Sequence, residues 1–136
     1  MRIAFGTDER TAVTDAVERW LADRGHEVVV PAERGGPWPD VGTAVGRAVA
    51  DGDADRGVVC CWTGTGVSIA ANKVAGVRAA LCTDRGTAEG ARRWNDANVL
   101  AFGLRLTTEA VAEELLEAFL GTDADDDERP EIAKLP

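Results

Sequence analysis

Tyrosine is absent from this sequence, histidine occurs once (His26), and lysine occurs only at Lys73 and Lys134. The other basic residues are all arginine. With abundant Ala, Gly, Asp and Val, this is the bias of a GC-rich coding sequence. No run of about 18 apolar residues exists to cross a bilayer. The N-terminal stretch Met1–Gly6 meets Asp8 and Glu9 too early for a signal peptide, so the protein is expected in the cytoplasm and away from membranes. The three cysteines are an odd number, Cys60 and Cys61 are adjacent, and no CxxC spacing occurs. Neither a disulfide framework nor a zinc site fits that pattern, and the cysteines read as reduced thiols. Basic residues are also outnumbered, 15 against 24 acidic, and the net charge of -9 repels phosphodiester backbones. Nucleic acid is therefore not an expected partner. The acidic surplus otherwise reads as a solvated surface.

The chain does have enough apolar residues for one core: 45% of its 136 residues are hydrophobic, a length and composition suited to one domain. Short runs rich in Val and Ile at Ile3–Phe5, Glu27–Val30, Gly57–Cys61, Val77–Leu81 and Asn98–Phe102 predict strands buried on both faces. Between them Val13, Ala16, Val17, Trp20 and Leu21 recur at helical spacing over Ala12–Arg24, with Gly25 as the stop. Residues 39–50, 66–74, 86–94 and 108–120 read as further helices, the last opened by Thr108 and Glu109. This alternation predicts an α/β fold, a mostly parallel five-stranded sheet with helices on both faces. Residues 1–121 would form the domain. The acidic segment 122–136 lacks the pattern of a packed amphipathic element and reads as a flexible tail or as an arm docking on a neighbour.

Ligands of such sheets bind beyond the carboxyl ends of the strands. After the third strand come Trp62, Thr63, Gly64, Thr65 and Gly66, and a helix is expected from near Val67. Glycines at that junction let several backbone N–H groups converge above a helix N-terminus, an anion nest for a phosphate or for the oxyanion of an enediolate. Cys61 ends the strand beside it. Amides and a helix dipole favour a thiolate, which makes Cys61 a candidate general base, against the plain alternative of a buried strand cysteine. Cys60 faces the opposite side and Cys82 ends another strand, so both read as structural. Asp8, after the first strand, is a candidate for steering hydroxyls or passing protons, or else a helix cap. Trp62 and Trp94 are candidates for an aromatic wall against a sugar ring. His26 has no partner in the pattern.

The stretch Gly64-Thr65-Gly66-Val67-Ser68-Ile69-Ala70-Ala71-Asn72-Lys73, then Gly76-Val77-Arg78-Ala79 and Asn95-Asp96-Ala97-Asn98-Val99-Leu100-Ala101-Phe102-Gly103, closely resembles ribose-5-phosphate isomerase type B and its relative galactose-6-phosphate isomerase. The resemblance implies a Rossmann-like three-layer αβα sandwich, a homodimer or tetramer with sites at the subunit interface, no metal or organic cofactor, and aldose–ketose isomerisation of a sugar or sugar phosphate through a cis-enediolate. It assigns Cys61 as the base, the loop amides around Gly64, Thr65 and Gly66 as holders of the enediolate oxygen, Thr63 and Asp8 as handlers of hydroxyl protons, and Asn95 as a substrate ligand from the other subunit. Arg129 matches an arginine that reaches across the dimer to a phosphate.

The sequence departs from that pattern at several of these positions. Glu9 and Trp94 stand where the family has histidines, the second credited with opening the furanose ring. Trp62 replaces a glycine, Trp38 replaces the tyrosine of a Tyr-Pro pair, and a second tail arginine would fall around Asp125. Glu9 and Asp125 add negative charge where a phosphate needs donors, and Trp94 has no acid–base group. The expectation is an aldose–ketose isomerase, pentose-phosphate-like in its chemistry, whose substrate is altered from ribose 5-phosphate: unphosphorylated, or supplied in open-chain form. The rivals are an ordinary ribose-5-phosphate isomerase and a non-catalytic sugar-binding or structural subunit of a hetero-oligomer.

Overall fold

The computed structural model describes all 136 residues. Along the chain come β1 (Arg2–Thr7), α1 (Ala12–Asp23), β2 (Glu27–Val29), α2 (Trp38–Ala50), β3 (Arg56–Cys61), α3 (Thr65–Asn72), β4 (Ala79–Leu81), α4 (Arg85–Asn95), β5 (Val99–Gly103) and α5 (Glu109–Gly121). A 3-10 turn at Asp126–Glu128 and the single helical turn α6 (Arg129–Ile132) follow. The strands lie in the order β2-β1-β3-β5-β4, and every pairing is parallel because a helix separates each strand from the next. The fold is thus the expected Rossmann-like α/β sandwich, with a wholly parallel sheet. Only β4 falls well short of its expected span. Val77 N–H closes a turn on Val74 O, and Arg78 N–H is taken by Asn98 Oδ1 at 2.8 Å, which leaves pairing to start at Ala79.

Successive strand residues point to opposite faces, and the two faces are packed differently. On one, Ile3, Phe5, Val58, Leu100 and Phe102 meet Val17 and Leu21 of α1, Ala88 of α4, and Leu115, Leu116 and Phe119 of α5. Each of these large apolar chains contributes roughly 1.5 to 3 kcal/mol by leaving water. On the other face the strands present small residues, and α2 settles against them. A Cβ on Gly6 would stand 2.7 Å from Val45, and one on Gly57 would also stand 2.7 Å from Val45. Helix α3 in turn lies on α2 through Gly42, where a Cβ would come 2.7 Å from the Val67 carbonyl oxygen. These close approaches set the height of both helices above the sheet, and with it the position of the loops at their N-termini.

α1, α4 and α5 start with side-chain caps: Thr11 accepts from Thr14 N–H, Asp84 from Thr87 N–H and Thr108 from Val111 N–H. α3 starts at Gly64 with no side-chain cap. The tail is stitched to α4: Asp125 N–H donates to Arg93 O at 2.8 Å, Arg93 pairs with the Asp125 carboxylate at 3.0 Å, and Arg92 Nε donates to Thr122 O at 3.0 Å. None of its residues is buried.

Candidate active site

β1 and β3 are neighbours at the middle of the sheet. From β1 the chain passes through α1 on one face to β2, and from β3 through α3 on the other face to β4. The connections diverge, and a crevice opens beyond Thr7 and Cys61. A cavity of about 320 Å³ occupies it, lined by Asp8, Trp38, Cys61, Trp62, Thr63, Thr65 and Gly66. All seven residues are among those singled out in the sequence.

Cys61 is the last residue of β3 and is 5% exposed. The chain turns at once, because Gly64 takes φ +78°, a left-handed conformation that costs glycine little. That turn brings the Gly64 N–H back to donate to Cys61 Sγ at 3.2 Å. No Cβ fits at Gly64: it would stand 2.6 Å from both Leu81 Cδ1 and the Phe102 carbonyl carbon. The end of β5 holds the loop from below, where Leu104 N–H donates to Cys61 O and Arg105 N–H to Trp62 O, each at 2.8 Å. Gly103 leaves room for the Thr63 backbone, since a Cβ there would lie 2.6 Å from Thr63 O. The loop that carries the sulfur is therefore fixed by backbone contacts, while the sulfur itself borders the cavity. The uncapped N-terminus of α3 opens beside it, its first N–H groups free for an anion.

Thr63 and Thr65 hydroxyls share a hydrogen bond of 2.7 Å at the mouth. Trp38, from the start of α2, lies across Gly66, where a Cβ would meet its ring at 2.8 Å. Trp62 stands opposite, half exposed. Asp8 brings a carboxylate whose Oδ1 is buried and has no hydrogen-bond partner. Its pKa is raised above 3.8 by burial first and then by the charge of Glu9. An unpartnered acceptor on a residue that borders a cavity is suited to a ligand hydroxyl.

The other two cysteines differ. Cys60 is wholly buried and its thiol is pushed up to about 12 by desolvation. Burial likewise pushes Cys82 up to about 12.

Five of the predicted site residues do not line this cavity: Gly64, which turns behind Cys61, and four that lie elsewhere. Glu9 is exposed and lines none of it. Trp94 and Asn95 end α4, which returns the chain to the opposite, N-terminal edge of the sheet. Trp94 folds back over Gly90 of its own helix and borders a separate cavity of about 570 Å³ with Leu81, Asp84 and Asn95. Arg129 is exposed, donates to Asp126 at 2.8 Å, and lines a third cavity with Arg92 and Asp96. Asn95 and Arg129 thus share the C-terminal end of α4, far from Cys61 of the same chain. Asp125, read above as adding negative charge where a phosphate needs donors, is ion-paired with Arg93.

The rest of the Asn-Asp-Ala-Asn motif is structural. Asp96 takes φ +46°, and its carboxylate is held by Arg92 at 2.8 Å and Arg78 at 3.2 Å. Asn98 bridges Arg78 N–H and Gly76 O. A buried arginine is a signal the sequence did not offer, since Arg92 lies in a run of exposed-looking polar residues. No three His, Cys, Asp or Glu side chains converge as a metal-binding group, and no helix is long and apolar enough to cross a membrane.

Residues 3–135 match the Ribose/Galactose Isomerase family. The ribose-5-phosphate isomerase B of Escherichia coli is 39% identical over 128 residues, covering 88% of this chain and 83% of its own. A D-erythrulose-4-phosphate isomerase of Pectobacterium atrosepticum is 35% identical over 125 residues, covering 88% and 82%. Among solved structures, a ribose-5-phosphate isomerase B of Clostridium thermocellum superposes with a TM-score of 0.94 at 36% identity, over 99% of this chain and 95% of that one.

Proposed function

The chain belongs to the ribose/galactose isomerase family, and we propose that it is an aldose–ketose isomerase in which Cys61 moves the carbon-bound proton. The observation that carries this reading is the sulfur held at 3.2 Å from the Gly64 amide, beside an uncapped helix N-terminus and open to a cavity. An amide donor and a helix N-terminus face the sulfur, the kind of surroundings in which a cysteine serves as a base. The Cys61 thiolate takes the C2 proton of an open-chain aldose. The C–H electron pair becomes the C1=C2 bond, and the carbonyl pair moves to O1, which the α3 N–H groups hold. Asp8, with Thr63 beside it, carries the O2 proton to O1. Cys61 then returns its proton to C1 as O2 becomes the new carbonyl, and a ketose leaves. Retention of Cys61 and of the complete glycine turn favours an enzyme over an inert subunit.

The substrate, on this reading, is other than ribose 5-phosphate. Within one chain no Lys, Arg or His lines the cavity, Asp8 lines it and Glu9 follows, so Arg129 of a second copy alone would have to neutralise a phosphate. Two like charges about 5 Å apart at an effective dielectric near 20 repel by roughly 3 kcal/mol, enough to oppose a phosphate dianion.

A second copy of the chain completes the site in this proposal. Asn95 and Arg129, 34 residues apart in sequence, lie at one end of the molecule and away from their own Cys61. One partner subunit would present both, and Trp94 with them. Mixing inactive Cys61→Ala with inactive Arg129→Ala subunits should then restore part of the activity; a monomeric protein by light scattering would contradict the assembly.

The reading is tested in deuterated water with a panel of tetroses, pentoses, hexoses and their phosphates. Deuterium should enter at C2 of one aldose, lost in Cys61→Ala. No exchange on any sugar, or full exchange by the Cys61→Ala protein, would overturn it.

A further inference from the structure

We propose that Arg92 is a positioning residue. It ties the end of α4, which carries Asn95, to the start of the tail, which carries Arg129, so that one subunit offers both side chains to its partner as a single rigid prong. The inference rests on the composite site proposed above and deepens it.

The tail has no core of its own. None of residues 122–136 is buried, so its course depends on what fastens it to the domain. Beyond α5 itself, its hydrogen bonds to the domain all run to Arg92 and Arg93, in the last turn of α4. Arg93 meets the Asp125 carboxylate at the surface, where water and salt weaken an ion pair. Arg92 is different. Its side chain is 6% exposed, and the guanidinium donates to Asp96 Oδ1 at 2.8 Å, to Ala97 O, and to Thr122 O at 3.0 Å.

A guanidinium withdrawn from water is tolerated only while its acceptors stay in place. Two of these acceptors belong to the turn that follows Asn95 and the third to the start of the tail, so neither segment can shift without stranding a buried charge. Asp96 needs that hold. Its φ of +46° is unfavourable for a residue other than glycine, and its carboxylate is pinned by Arg92 and Arg78. This turn sets the direction in which the chain leaves Asn95. On the tail side, Arg56 donates to Phe119 O at 2.7 Å and fixes the end of α5, from which the tail departs. After Asp125 the chain enters the 3-10 turn at once, and Arg129 opens α6. No hydrogen bond joins Asn95 to Arg129, so their relative position rests on the shared tie at Arg92.

The test pairs subunits of different defect and reads kcat/KM for C2 exchange on the best sugar of the panel. Arg92→Met should lower kcat/KM about 10²-fold, mainly through KM, because two substrate ligands are displaced while Cys61 and its turn stay intact. Co-expressed with Cys61→Ala, it should recover to about a quarter of the unmodified value, since half of the dimers then hold one site with a sound crevice and a sound prong. Co-expressed with Arg129→Ala it should recover nothing, because both defects lie on the same prong. A general loss of folding would not produce that asymmetry. Arg92→Lys retains the buried charge but offers one nitrogen to acceptors on two segments; it should also raise KM, and it decides the matter if the methionine variant does not fold. Recovery with Arg129→Ala, no recovery with Cys61→Ala, or an unchanged KM in Arg92→Lys would overturn the inference and leave the isomerase reading standing. If Cys61→Ala and Arg129→Ala also fail to restore each other, the composite site falls with it.

Discussion

Cys60 and Cys61 are consecutive residues of β3, and the pleat sends one thiol to each face of the sheet. Cys60 enters the large apolar core with Phe5 and Phe102 and is held as a neutral thiol, its pKa near 12. Cys61 looks into the crevice, and the chain behind it turns through Gly64 to aim an amide at its sulfur. The two residues share chemistry, strand and neighbours in sequence. What separates them is the path of the next three residues, so the surroundings of the Cys61 thiol are a property of the turn.

The comparison breaks most directly at Cys61 itself. In Cys61→Ala the proposed base is gone, and C2 proton exchange should fall about 10³- to 10⁴-fold, in the range of general-base contributions. Melting should change by only a few degrees, because a small group is lost at the end of a strand. Exchange by NMR and a thermal melt read the two together, and an equal loss of both would point to a structural role.

If the turn makes the thiol, changing the turn should act almost as strongly with Cys61 intact. Gly64→Ala puts a Cβ 2.6 Å from the Phe102 carbonyl carbon at φ +78°. The loop must move and the Sγ contact opens, with an expected loss of about 10²-fold in turnover and a stability cost above about 1 kcal/mol. Removing the side-chain cap of α5 with Thr108→Ala should cost about 1 kcal/mol of stability and no activity. The pair separates a helix start used for a ligand from one used for folding.

Asp8 sharpens the comparison in a third way, because its cost and its use have opposite signs. Its pKa is above the unfolded value of 3.8, so the folded protein holds the proton more tightly. The stability this gives is complete below pH 3.8 and is lost as pH rises through the folded pKa. Asp8→Asn should therefore melt slightly higher than the unmodified protein at pH 7 and equally near pH 3. Turnover in the same variant should drop about 10- to 100-fold if Asp8 carries the hydroxyl proton. A variant less stable at pH 7 would show that the carboxylate is a structural acceptor.

Much of this was legible because it is local. Strand runs at Gly57–Cys61 and Asn98–Phe102 and the glycines of residues 64–66 announce themselves within a few residues, and six of the seven residues lining the Cys61 cavity lie at strand ends or in that turn, Trp38 having entered only through the family resemblance. What was not legible depends on packing between distant segments. Nothing near Gly42 says that α3 will rest on it, and Arg92 looks like a surface residue until α5 and Asp96 enclose it. Asp125 shows the same limit: its ion pair with Arg93 spans 32 residues. The sequence also could not place Asn95 and Arg129 relative to Cys61, since that requires knowing that α4 runs back to the far edge of the sheet.

The smallest effect on activity is expected at Cys60, and it is the control on which the comparison stands. Cys60 is fully buried and its weak contact to Gly6 O is 3.9 Å long. Cys60→Ala removes one sulfur from the core and should cost about 1 kcal/mol through the space left behind. Turnover should stay within about twofold, because neither the Gly64 turn nor the α3 N-terminus touches that face. Alkylation gives an independent reading on the native protein. At pH 8 a thiol near pKa 12 is only about one part in 10⁴ thiolate, so Cys60 and Cys82 should remain unmodified by iodoacetamide while Cys61 reacts, and substrate should protect it. Mass spectrometry of the peptides distinguishes the three. Equal labelling of Cys60 and Cys61, or a large loss of turnover in Cys60→Ala, would mean that the two faces of β3 are coupled and that the turn alone does not set the chemistry.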